Sequence, residues 1–453
     1  MKIRKLQLKN IGVFDDEEIE FKGCPAKDKA EIHILTGENG TGKTTLLESI
    51  TYLFNREQKE LQNSDISSSD YLDYGFQRKK RLRNYKKSPK RQMYEFDYDE
   101  NVPNEYLNFD FFVRCEFDDK SAGFFAISRI DKKIGDQTIQ LHGGKIEDYP
   151  DGTYAVFAYS GYRSITSSRV VALRDEENFN PLEQSLNFVK DSSKRNQLTI
   201  NQLIANYISK SAIEKSRDIK KSKKFAKVIQ SIQTVVSDIT GWKVEFDLET
   251  DPTNLIAKID GNEFDFDVLP DGVRSLISWI GDLLCRVDLL KWQDDLPITE
   301  KNLILLLDEI EVHLHPAWQR KVLPVVQKLF KNAQIFVSTH SPFVVNSVDD
   351  AWVYKLKVDE NGKAHCEDPI LSEDGISYQT VLSEIFGIDQ EFGGKTQDDL
   401  DKFYKIIRNG KVINEKELTD LAKSLAEQSE ELNSIVQIEL RQLNRKRGTS
   451  FAI

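Results

Sequence analysis

The chain has few of the features that mark secreted or membrane proteins. Its 453 residues include four cysteines, Cys24, Cys115, Cys285 and Cys366, and no two of them form a CxxC pair. Cysteines scattered in this way do not predict a disulfide framework or a zinc site. The longest aliphatic run, Leu303–Leu307, is far shorter than the ~20 residues of a membrane-spanning helix. The charged N-terminus is not followed by an apolar stretch, so we expect a cytoplasmic protein without a membrane partner.

Positive charge is also in short supply. The chain has 63 Lys and Arg against 74 Asp and Glu, a net charge of −11, which argues against a protein that coats nucleic acid with its whole surface. Two segments depart from this balance, Arg78–Arg91 with nine basic residues and no acid, and Lys210–Lys227 with eight basic residues and two acids. Each segment either follows a phosphate backbone of DNA, RNA or an RNA–DNA hybrid, Lys210–Lys227 as one helical face, or is a solvated charged insertion, or docks an acidic partner. The candidate nucleic-acid contacts are Arg78, Lys79, Lys80, Arg81, Arg83, Lys86 and Lys87.

A glycine-rich loop follows the apolar strand predicted at residues 32–35. The loop, GENGTGKTT, fits the pattern G-x-x-x-x-G-K-[ST] and precedes a helix-like stretch, which is the context that phosphate binding requires. Its glycines let backbone N–H groups surround phosphates, and the helix N-terminus adds positive charge. We expect Lys43 to bind the β- and γ-phosphates and Thr44 to ligate Mg²⁺. The candidate nucleotide-binding residues are Gly37, Glu38, Asn39, Gly40, Thr41, Gly42, Lys43, Thr44 and Thr45.

Two apolar strands are predicted in the second half of the chain. Leu303–Leu307 is apolar on both faces, as in the centre of a parallel sheet, and it ends in Asp308 and Glu309. Ligands bind at the carboxyl ends of such strands, so we expect Asp308 to hold Mg²⁺ through water and Glu309 to polarise an attacking water. The second strand, 334–338, is followed by His340, which is predicted to lie near the γ-phosphate.

A further motif, LPDGVRS at residues 269–275, opens a predicted amphipathic helix. Together with KLQLKNIGVF, GENGTGKTT, LILLLDEIEVHLHP and STHSP, it resembles the ABC-type ATPases in their soluble SMC/RecF-like branch. The resembling motifs lie towards both ends of the chain and enclose an insertion. The resemblance implies an α/β fold, namely an ABC-type ATPase head. Such a head has a P-loop on a mixed or parallel sheet, an antiparallel β part, a helical insertion and a helical C-terminal tail.

The predicted organisation has six segments. They are the N-terminal part of the head (1–55), a basic insertion (56–105), a β-rich part of the head (106–175), a helical lysine-rich insertion (176–245), the C-terminal part of the head (246–370) and a helical tail (371–453). Within the tail, Glu415–Arg447 is predicted as one amphipathic helix, and Asn414 and Glu417 form a capping box at its start. Its apolar face is expected to pack on the head or to bind a partner or a second copy.

The resemblance also implies a mechanism. ATPases of this branch bind ATP between two heads placed head to tail, so that the phosphate loop of one faces the signature helix of the other. It implies that Glu309 is the general base, His340 the switch histidine, and Glu311–Pro316 the D-loop at the dimer seam. The signature residues that act in trans are then Asp271, Gly272, Arg274 and Ser275.

The signature departs from the family pattern. Pro270 and Asp271 replace the usual serine and small residue, so the resemblance implies slow hydrolysis or the use of ATP as a clamp. The glutamine that normally joins the Mg²⁺ shell has only Gln77 and Gln92 as candidates. Arg163 is a candidate for a phosphate or dimer contact, or else an ordinary surface arginine.

The motif sequences are similar to those of ATPase subunits from prokaryotic antiphage operons. Septu-type ATPases, which also accompany retrons and work with a separate HNH nuclease, resemble the chain most, and the ATPase of the PARIS system is a competing resemblance. This resemblance implies a sensor and scaffold that restrains an effector. The long insertion between Lys43 and the signature is not of the short transporter type, which argues against a transport ATPase. The alternative is a RecF-like ATPase of DNA repair that binds duplex DNA.

Overall fold

The computed structural model describes residues 1–24, 26, 28–54, 111–118, 122–131, 137–143, 152–161, 181–182, 185–186, 199–250, 253–372, 376–408, 415–448 and 451. The chain forms two compact units, Met1–Val381 and Leu382–Ile453. Several predicted sites lie outside the described residues, namely Gln77, Arg78–Arg91, Gln92, Arg163 and Asn414.

Most strands of the described ranges belong to two sheets in the first unit. They are β1 (Ile3–Ile11), β2 (Phe14–Glu20), β3 (Glu31–Gly37), β4 (Phe111–Phe117), β5 (Ala122–Asp131), β6 (Gln137–Gly143), β7 (Ala155–Tyr159), β8 (Val244–Thr250), β9 (Thr253–Ile259), β10 (Asn262–Asp265), β11 (Leu303–Leu307), β12 (Gln334–Ser338), β13 (Trp352–Val358), β14 (Ala364–Cys366) and β15 (Ile370–Leu371).

Helices join these strands and form the C-terminal unit. They are α1 (Lys43–Phe54), α2 (Ile200–Glu214), α3 (Ile219–Thr240), α4 (Asp271–Leu276), α5 (Asp282–Leu289), α6 (Pro316–Leu329), α7 (Pro342–Val345), α8 (Tyr378–Thr380), α9 (Gly394–Arg408), α10 (Glu415–Ala426) and α11 (Glu430–Arg447). Ile277–Gly281 and Val381–Ile385 are π-helical, and Phe266–Val268 and Ile298–Glu300 are 3₁₀ turns. Within the described ranges, no helix combines the length and apolarity that a membrane crossing needs.

The central sheet has a parallel core that places the predicted motifs at one edge. The core strands run in the order β13-β3-β12-β11-β7 with each neighbouring pair parallel, and the short strands β14 and β15 pair antiparallel with β13. Every residue of β11 and β12 is buried, because apolar side chains cover both faces of these strands. The carboxyl ends of β3, β11 and β12 therefore bring the phosphate loop, the acidic pair and the switch histidine together.

An antiparallel sheet packs over the parallel one. Its order is β2-β1-β4-β5-β6, and in β1 the buried residues Ile3, Leu6 and Leu8 face inwards. They join one apolar core with Leu46 of α1 and Leu306 of β11. Two sheets that share one core with α1 form the α/β ATPase head that the motifs predicted. The fold class is confirmed.

The lysine-rich insertion is a helical hairpin. Lys210–Lys227 spans the end of α2, a turn and the start of α3, so its charges do not form one continuous helical face. The break occurs at Asp218, whose extended backbone and side chain cap α3 by accepting hydrogen bonds from the N–H groups of Lys220 and Lys221.

The prediction of one helix over Glu415–Arg447 is wrong. The structure has two helices there, α10 and α11, because Ser429 adopts an extended backbone and accepts a hydrogen bond from the Leu432 N–H at 3.1 Å. Most apolar residues of both helices pack in a core within the C-terminal unit, to which α9 adds Leu400 and Phe403.

Candidate active site

Glycines shape the loop between β3 and α1. Gly37 and Gly42 have φ angles of +140° and +97°, a region that side chains other than glycine avoid. A Cβ at Gly37 would lie 2.2 Å from the carbonyl oxygen of Leu356, and one at Gly42 would lie 2.7 Å from Val13. The loop is therefore held against β13 and the β1–β2 turn, and α1 starts directly behind it at Lys43.

Lys43 lies folded against this loop. Its Nζ donates to the carbonyl oxygens of Gly37 at 2.9 Å and Glu38 at 2.8 Å, and the residue is only 7% exposed. Burial lowers the pKa of Lys43, although the nearby carboxylates Asp308 and Glu309 act in the opposite direction. A buried ammonium that rests on two backbone carbonyls suits an incoming anion, because a phosphate would supply the charge that the carbonyls lack.

Thr44 and Asp308 form the second part of the site. The Thr44 hydroxyl donates to the Asp308 carboxylate, with oxygen–oxygen distances of 3.1 and 3.0 Å. Ser338, the last residue of β12, also donates to this carboxylate. A hydroxyl and a carboxylate in contact are the oxygen donors that Mg²⁺ prefers, so this pair fits the predicted metal site.

Glu309 lies beside this pair in an unusual backbone conformation. Its φ of +47° is uncommon for a residue with a side chain, and its N–H donates to the Ser338 hydroxyl at 2.8 Å. Burial raises the pKa of Glu309, and the negative charges of Asp308 and Glu311 raise it further. A carboxylate with a raised pKa is a better proton acceptor near neutral pH.

The predicted D-loop and the predicted switch histidine, His340, are joined through Glu311. Its carboxylate accepts from the backbone N–H of His340 at 2.6 Å and from the hydroxyl of Thr339 at 2.8 Å. Burial lowers the pKa of His340, and so does the charge of Lys43. This lowered pKa favours the neutral form of the imidazole. The end of β12 and the contact with Glu311 place His340 at the same edge of the sheet as Glu309 and Lys43.

The signature residues lie at the start of α4. Asp271 forms an ion pair with Arg274, so the negative charge that distinguishes this signature is compensated within its own helix. A Cβ at Gly272 would lie 2.6 Å from the carbonyl oxygen of His313 and 2.9 Å from the Trp318 ring. Gly272 therefore packs closely on the D-loop of its own chain, and Ser275 is buried behind it.

Two contributors to the site were missed by the sequence reasoning. Ser338 bridges Asp308 and the Glu309 N–H, and its position in the STHSP motif was the signal that could have found it. Gly161 lies against the Glu309 side chain. No local pattern marks that contact, since the two residues are far apart in sequence.

A family profile described as an AAA domain matches residues 5–240, which is more than half of the chain. The chain belongs to the AAA domain family. A second AAA-domain profile, whose description names the AbiEii toxin and type IV toxin–antitoxin systems, matches residues 173–346. The two matches together include the phosphate loop, β11 with the Asp308 that follows it, and β12, which ends at Ser338.

Similar proteins include two retron ATPases and a Septu protein. The Retron Ec83 probable ATPase of Escherichia coli is 32% identical over 182 residues, which cover 39% of this chain and 31% of that protein. The chain thus matches less than a third of that relative's length. The Septu protein PtuA of Bacillus thuringiensis is 21% identical over 86% of this chain and 85% of its own length. The Retron Vc95 probable ATPase of Vibrio cholerae is 23% identical over 76% and 72%. The predicted resemblance to Septu and retron ATPases is confirmed.

Among solved structures, the chain is similar to SMC head domains. An SmcHead bound to the C-terminal winged-helix domain of ScpA aligns with 82% of this chain and 98% of its own, at 13% identity and a TM-score of 0.42. The SMC head domain from Thermotoga maritima aligns with 83% and 100%, at 15% identity and a TM-score of 0.39. The fold class rests on the sheet topology of this chain rather than on those similarities.

Proposed function

We propose that this protein is an Mg²⁺-dependent ATPase that binds ATP between two copies of itself and controls a separate effector in prokaryotic antiphage defence. The observation that carries the proposal is the meeting of Lys43, Thr44, Asp308 and Glu309 at one edge of the parallel sheet. Each of these residues has the chemistry that phosphoryl transfer to water requires.

ATP binding would use the loop and Lys43. The N-terminus of α1 and the loop N–H groups would donate to the phosphates, and Lys43 would exchange its two carbonyl contacts for the β- and γ-phosphates. Thr44 and Asp308 would hold Mg²⁺, whose role when bound is to neutralise charge on the phosphates. Loop residues 37–42 and Thr45 would complete the cradle.

Glu309 would act as the general base. It would take a proton from the attacking water as the water oxygen bonds to the γ-phosphorus and the bond to the β–γ bridging oxygen breaks. The raised pKa of Glu309 favours this transfer. The ring of His340, held in place by Glu311, would donate a hydrogen bond to the γ-phosphate.

The second copy would complete the site in trans. Asp271, Gly272, Arg274 and Ser275 of one protomer would cap the γ-phosphate bound by the other, with Glu311–Pro316 at the seam. Asp271 lies where a small residue is usual, and its partner Arg274 is engaged with it. With Pro270 in place of the usual serine, a hydroxyl contact to the γ-phosphate would be missing, so we expect slow hydrolysis.

The defence role is proposed from the relatives. Retron ATPases and the Septu protein PtuA are similar to this chain, and the match to PtuA extends over most of both proteins. We propose that the ATP-bound oligomer acts in the cytoplasm as a sensor and scaffold, and that its effector is a separate nuclease. A second protein bound to the ATP-loaded form would be held or released as ATP is turned over.

The Glu309→Gln variant tests this proposal. Removing the base while keeping the phosphate cradle should leave ATP bound and stabilise the head dimer. With ATP and Mg²⁺, light scattering after size-exclusion chromatography should give twice the monomer mass for Glu309→Gln. The control is Glu360→Gln, which makes the same change at an exposed turn and should match the wild type. A Glu309→Gln protein that binds ATP yet stays monomeric would contradict the sandwich, and one that hydrolyses ATP normally would contradict the base.

A second candidate function is a RecF-like ATPase that binds DNA. The observation that favours it is the exposed lysines at the start of α3, namely Lys220, Lys221, Lys223, Lys224 and Lys227. Like charges three or four residues apart destabilise a helix unless an anion lies against them. Lys224 has an acidic partner, Asp288 at 3.4 Å, and Lys221 has Asp218 at 4.0 Å.

Duplex binding measured against salt concentration tests this alternative. Each lysine that contacts a phosphate should contribute nearly one unit to the slope of log K against log [salt]. Replacing Lys220, Lys223 and Lys227 with alanine should then reduce the slope by about 2–3. Absence of duplex binding at low salt would exclude this function and leave the ATPase proposal intact.

A further inference from the structure

The segment Tyr159–Gly161 connects the acidic pair to the helices that follow the signature. It lies at the carboxyl end of β7, which is the parallel neighbour of β11. The sheet continues one residue past β11, because the Asp308 N–H donates to the Tyr159 carbonyl oxygen at 2.8 Å. The backbone of this segment is therefore fixed directly beside Asp308 and Glu309.

Gly161 contacts the side chain of Glu309. A Cβ built on Gly161 would lie 2.8 Å from the Glu309 Cβ and 2.8 Å from its Oε2, both far inside the ~3.5–4.0 Å of a relaxed carbon contact. Gly161 is not among the glycines with a positive φ, so backbone conformation is not the reason for glycine here. The reason is space, since any side chain at 161 would occupy the place of the Glu309 carboxylate.

Tyr159 ties the same segment to the helix after the signature. Its hydroxyl donates to the Asp282 carboxylate at 3.0 Å, and Asp282 also accepts from the Arg286 Nε at 2.8 Å. The ring packs on Trp279, with 6.1 Å between the centroids. Trp279 belongs to the π-helical turn that joins α4 to α5. The segment is thus fixed both by a strand of the sheet and by the helical stretch that begins at the signature.

We propose that Gly161 and Tyr159 are positioning residues for Glu309. Gly161 sets the place of the Glu309 carboxylate by direct contact, and Tyr159 holds Gly161 in position through its hydrogen bond to Asp282 of α5. This proposal rests on the proposed ATP hydrolysis. It assigns the orientation of the base to a segment that lies almost 150 positions away in the sequence and outside the nucleotide motifs.

The Gly161→Ala variant gives the first test. The added methyl group should displace the Glu309 carboxylate and lower kcat about tenfold to 100-fold, since a displacement near 1 Å has effects of that size. The dissociation constant for ATP, measured by calorimetry, should change less than twofold. The control is Gly23→Ala, whose new Cβ would meet nothing closer than 3.8 Å and should leave kcat unchanged. A Gly161→Ala enzyme with wild-type kcat would overturn the proposal.

A double-mutant cycle separates positioning from a general structural effect. If Gly161 acts through Glu309, then Gly161→Ala should have no further effect on hydrolysis once Glu309→Gln has removed the base. Independent multiplication of the two losses would overturn the proposed route of action.

Tyr159→Phe tests the second anchor. Loss of its hydrogen bond to Asp282 should lower kcat about threefold to tenfold, with ATP affinity retained. The matched control is Tyr207→Phe, because the Tyr207 hydroxyl donates to Asp288 on the same helix α5 at 2.9 Å, and this change should leave kcat unaltered. Equal losses in both variants would show a general loosening of α5 and would contradict the specific role of Tyr159.

A crystal structure of Gly161→Ala completes the test without requiring turnover. The Glu309 carboxyl should move by about 1 Å to restore normal contact distances, and an unmoved carboxyl would overturn the proposal. Failure of the wild type to bind ATP would refute the proposed function instead, while the displacement of Glu309 would still decide the contact.

Discussion

The two ends of the same strands carry two different clusters of buried polar groups. At the amino end, Glu31 begins β3 and Gln334 begins β12; at the carboxyl end, β3 leads into the phosphate loop and β12 ends at Ser338. Both clusters contain buried charge. They differ in how completely the chain itself satisfies that charge.

In the amino-end cluster, the chain itself supplies the partners of the buried charges. Arg4 donates two hydrogen bonds to Glu31, at 2.6 and 3.2 Å, and His33 lies 2.8 Å from the same carboxylate. Gln334 adds a donor at 3.0 Å and also pairs with both backbone groups of Ile3. Burial alone would raise the pKa of Glu31, but the hydrogen bonds and charges of His33 and Arg4 lower it to about 2.

In the carboxyl-end cluster, the chain does not fully compensate the buried charges. Burial lowers the pKa of Lys43 and raises that of Glu309, so the ammonium and the carboxylate are each held in surroundings that disfavour their charged forms. Here the charge balance would be completed by phosphates and a metal ion rather than by the chain. The comparison indicates that the amino-end cluster serves stability and the carboxyl-end cluster serves chemistry.

The largest expected effect is that of Lys43→Ala on ATP binding. Removing the ammonium that pairs with the phosphates should weaken ATP binding about 100-fold or more, as measured by calorimetry. The amino end offers a matched control in Lys2, whose pKa burial lowers to about 8 and whose Nζ donates to the Asn332 carbonyl at 2.6 Å. Lys2→Ala should bind ATP normally, and tight binding by Lys43→Ala would contradict the assignment of the loop.

The next effect is the reverse, a loss of stability without a loss of binding. Glu31→Gln leaves Arg4 without its charged partner and should reduce the free energy of unfolding by about 2–3 kcal/mol. That is below the 3–5 of a fully buried pair, because the Arg4 side chain is 31% exposed. Denaturant titration measures the change. Unaltered stability together with weakened ATP binding would refute the division between the two ends.

A smaller effect on turnover is expected at Glu311. This residue lies within the carboxyl-end cluster, but its carboxylate is already hydrogen-bonded within the chain. Glu311→Ala removes the acceptor for Thr339 and for the His340 N–H and should lower kcat about tenfold by loosening the histidine. Glu311→Gln keeps one acceptor oxygen and should lose less. Wild-type turnover in both variants would exclude a positioning role for Glu311.

The smallest effect is on the pH dependence of stability. The pKa of Glu31 is below its ordinary value, so its stabilising contribution is complete above about pH 4.5 and is lost as the pH falls towards 2. Burial lowers the pKa of His33, despite the nearby Glu31, so stability also begins to fall below about pH 6.5. Thermal unfolding between pH 7 and 3 should show this decline, and Glu31→Gln should flatten its acid part. A protein equally stable across that range would contradict these assignments.

Local motifs were sufficient to predict which residues meet at the carboxyl edge of the parallel sheet. Each of these motifs is a few consecutive residues long: the phosphate loop, the strand followed by Asp308 and Glu309, and the strand before His340. Glycines, apolar runs and terminal acids are recognisable locally because the chemistry of a parallel sheet requires them at these positions. The contacts made by Gly161, Tyr159 and Ser338 depend instead on which strands become neighbours, and sequence spacing does not encode that order.

Helix boundaries were less predictable than the strands. Continuous apolar spacing over Glu415–Arg447 concealed the break at Ser429, because leucines on either side of the break still reach the same core. Asp218 breaks the lysine-rich stretch in the same way. In both cases one capping residue with an extended backbone ends the continuous helix. A single capping residue is a weaker sequence signal than a long periodic pattern, so the periodic pattern dominated the prediction.

A crystal structure of the Glu309→Gln variant grown with ATP and Mg²⁺ tests the central claim most directly. The account predicts a pair of protomers in which each triphosphate contacts Lys43 and Thr44 of one copy and the Gly272 helix of the other. Nucleotide bound anywhere else, or bound to Lys43 with the Gly272 helix of the partner turned away, would contradict it.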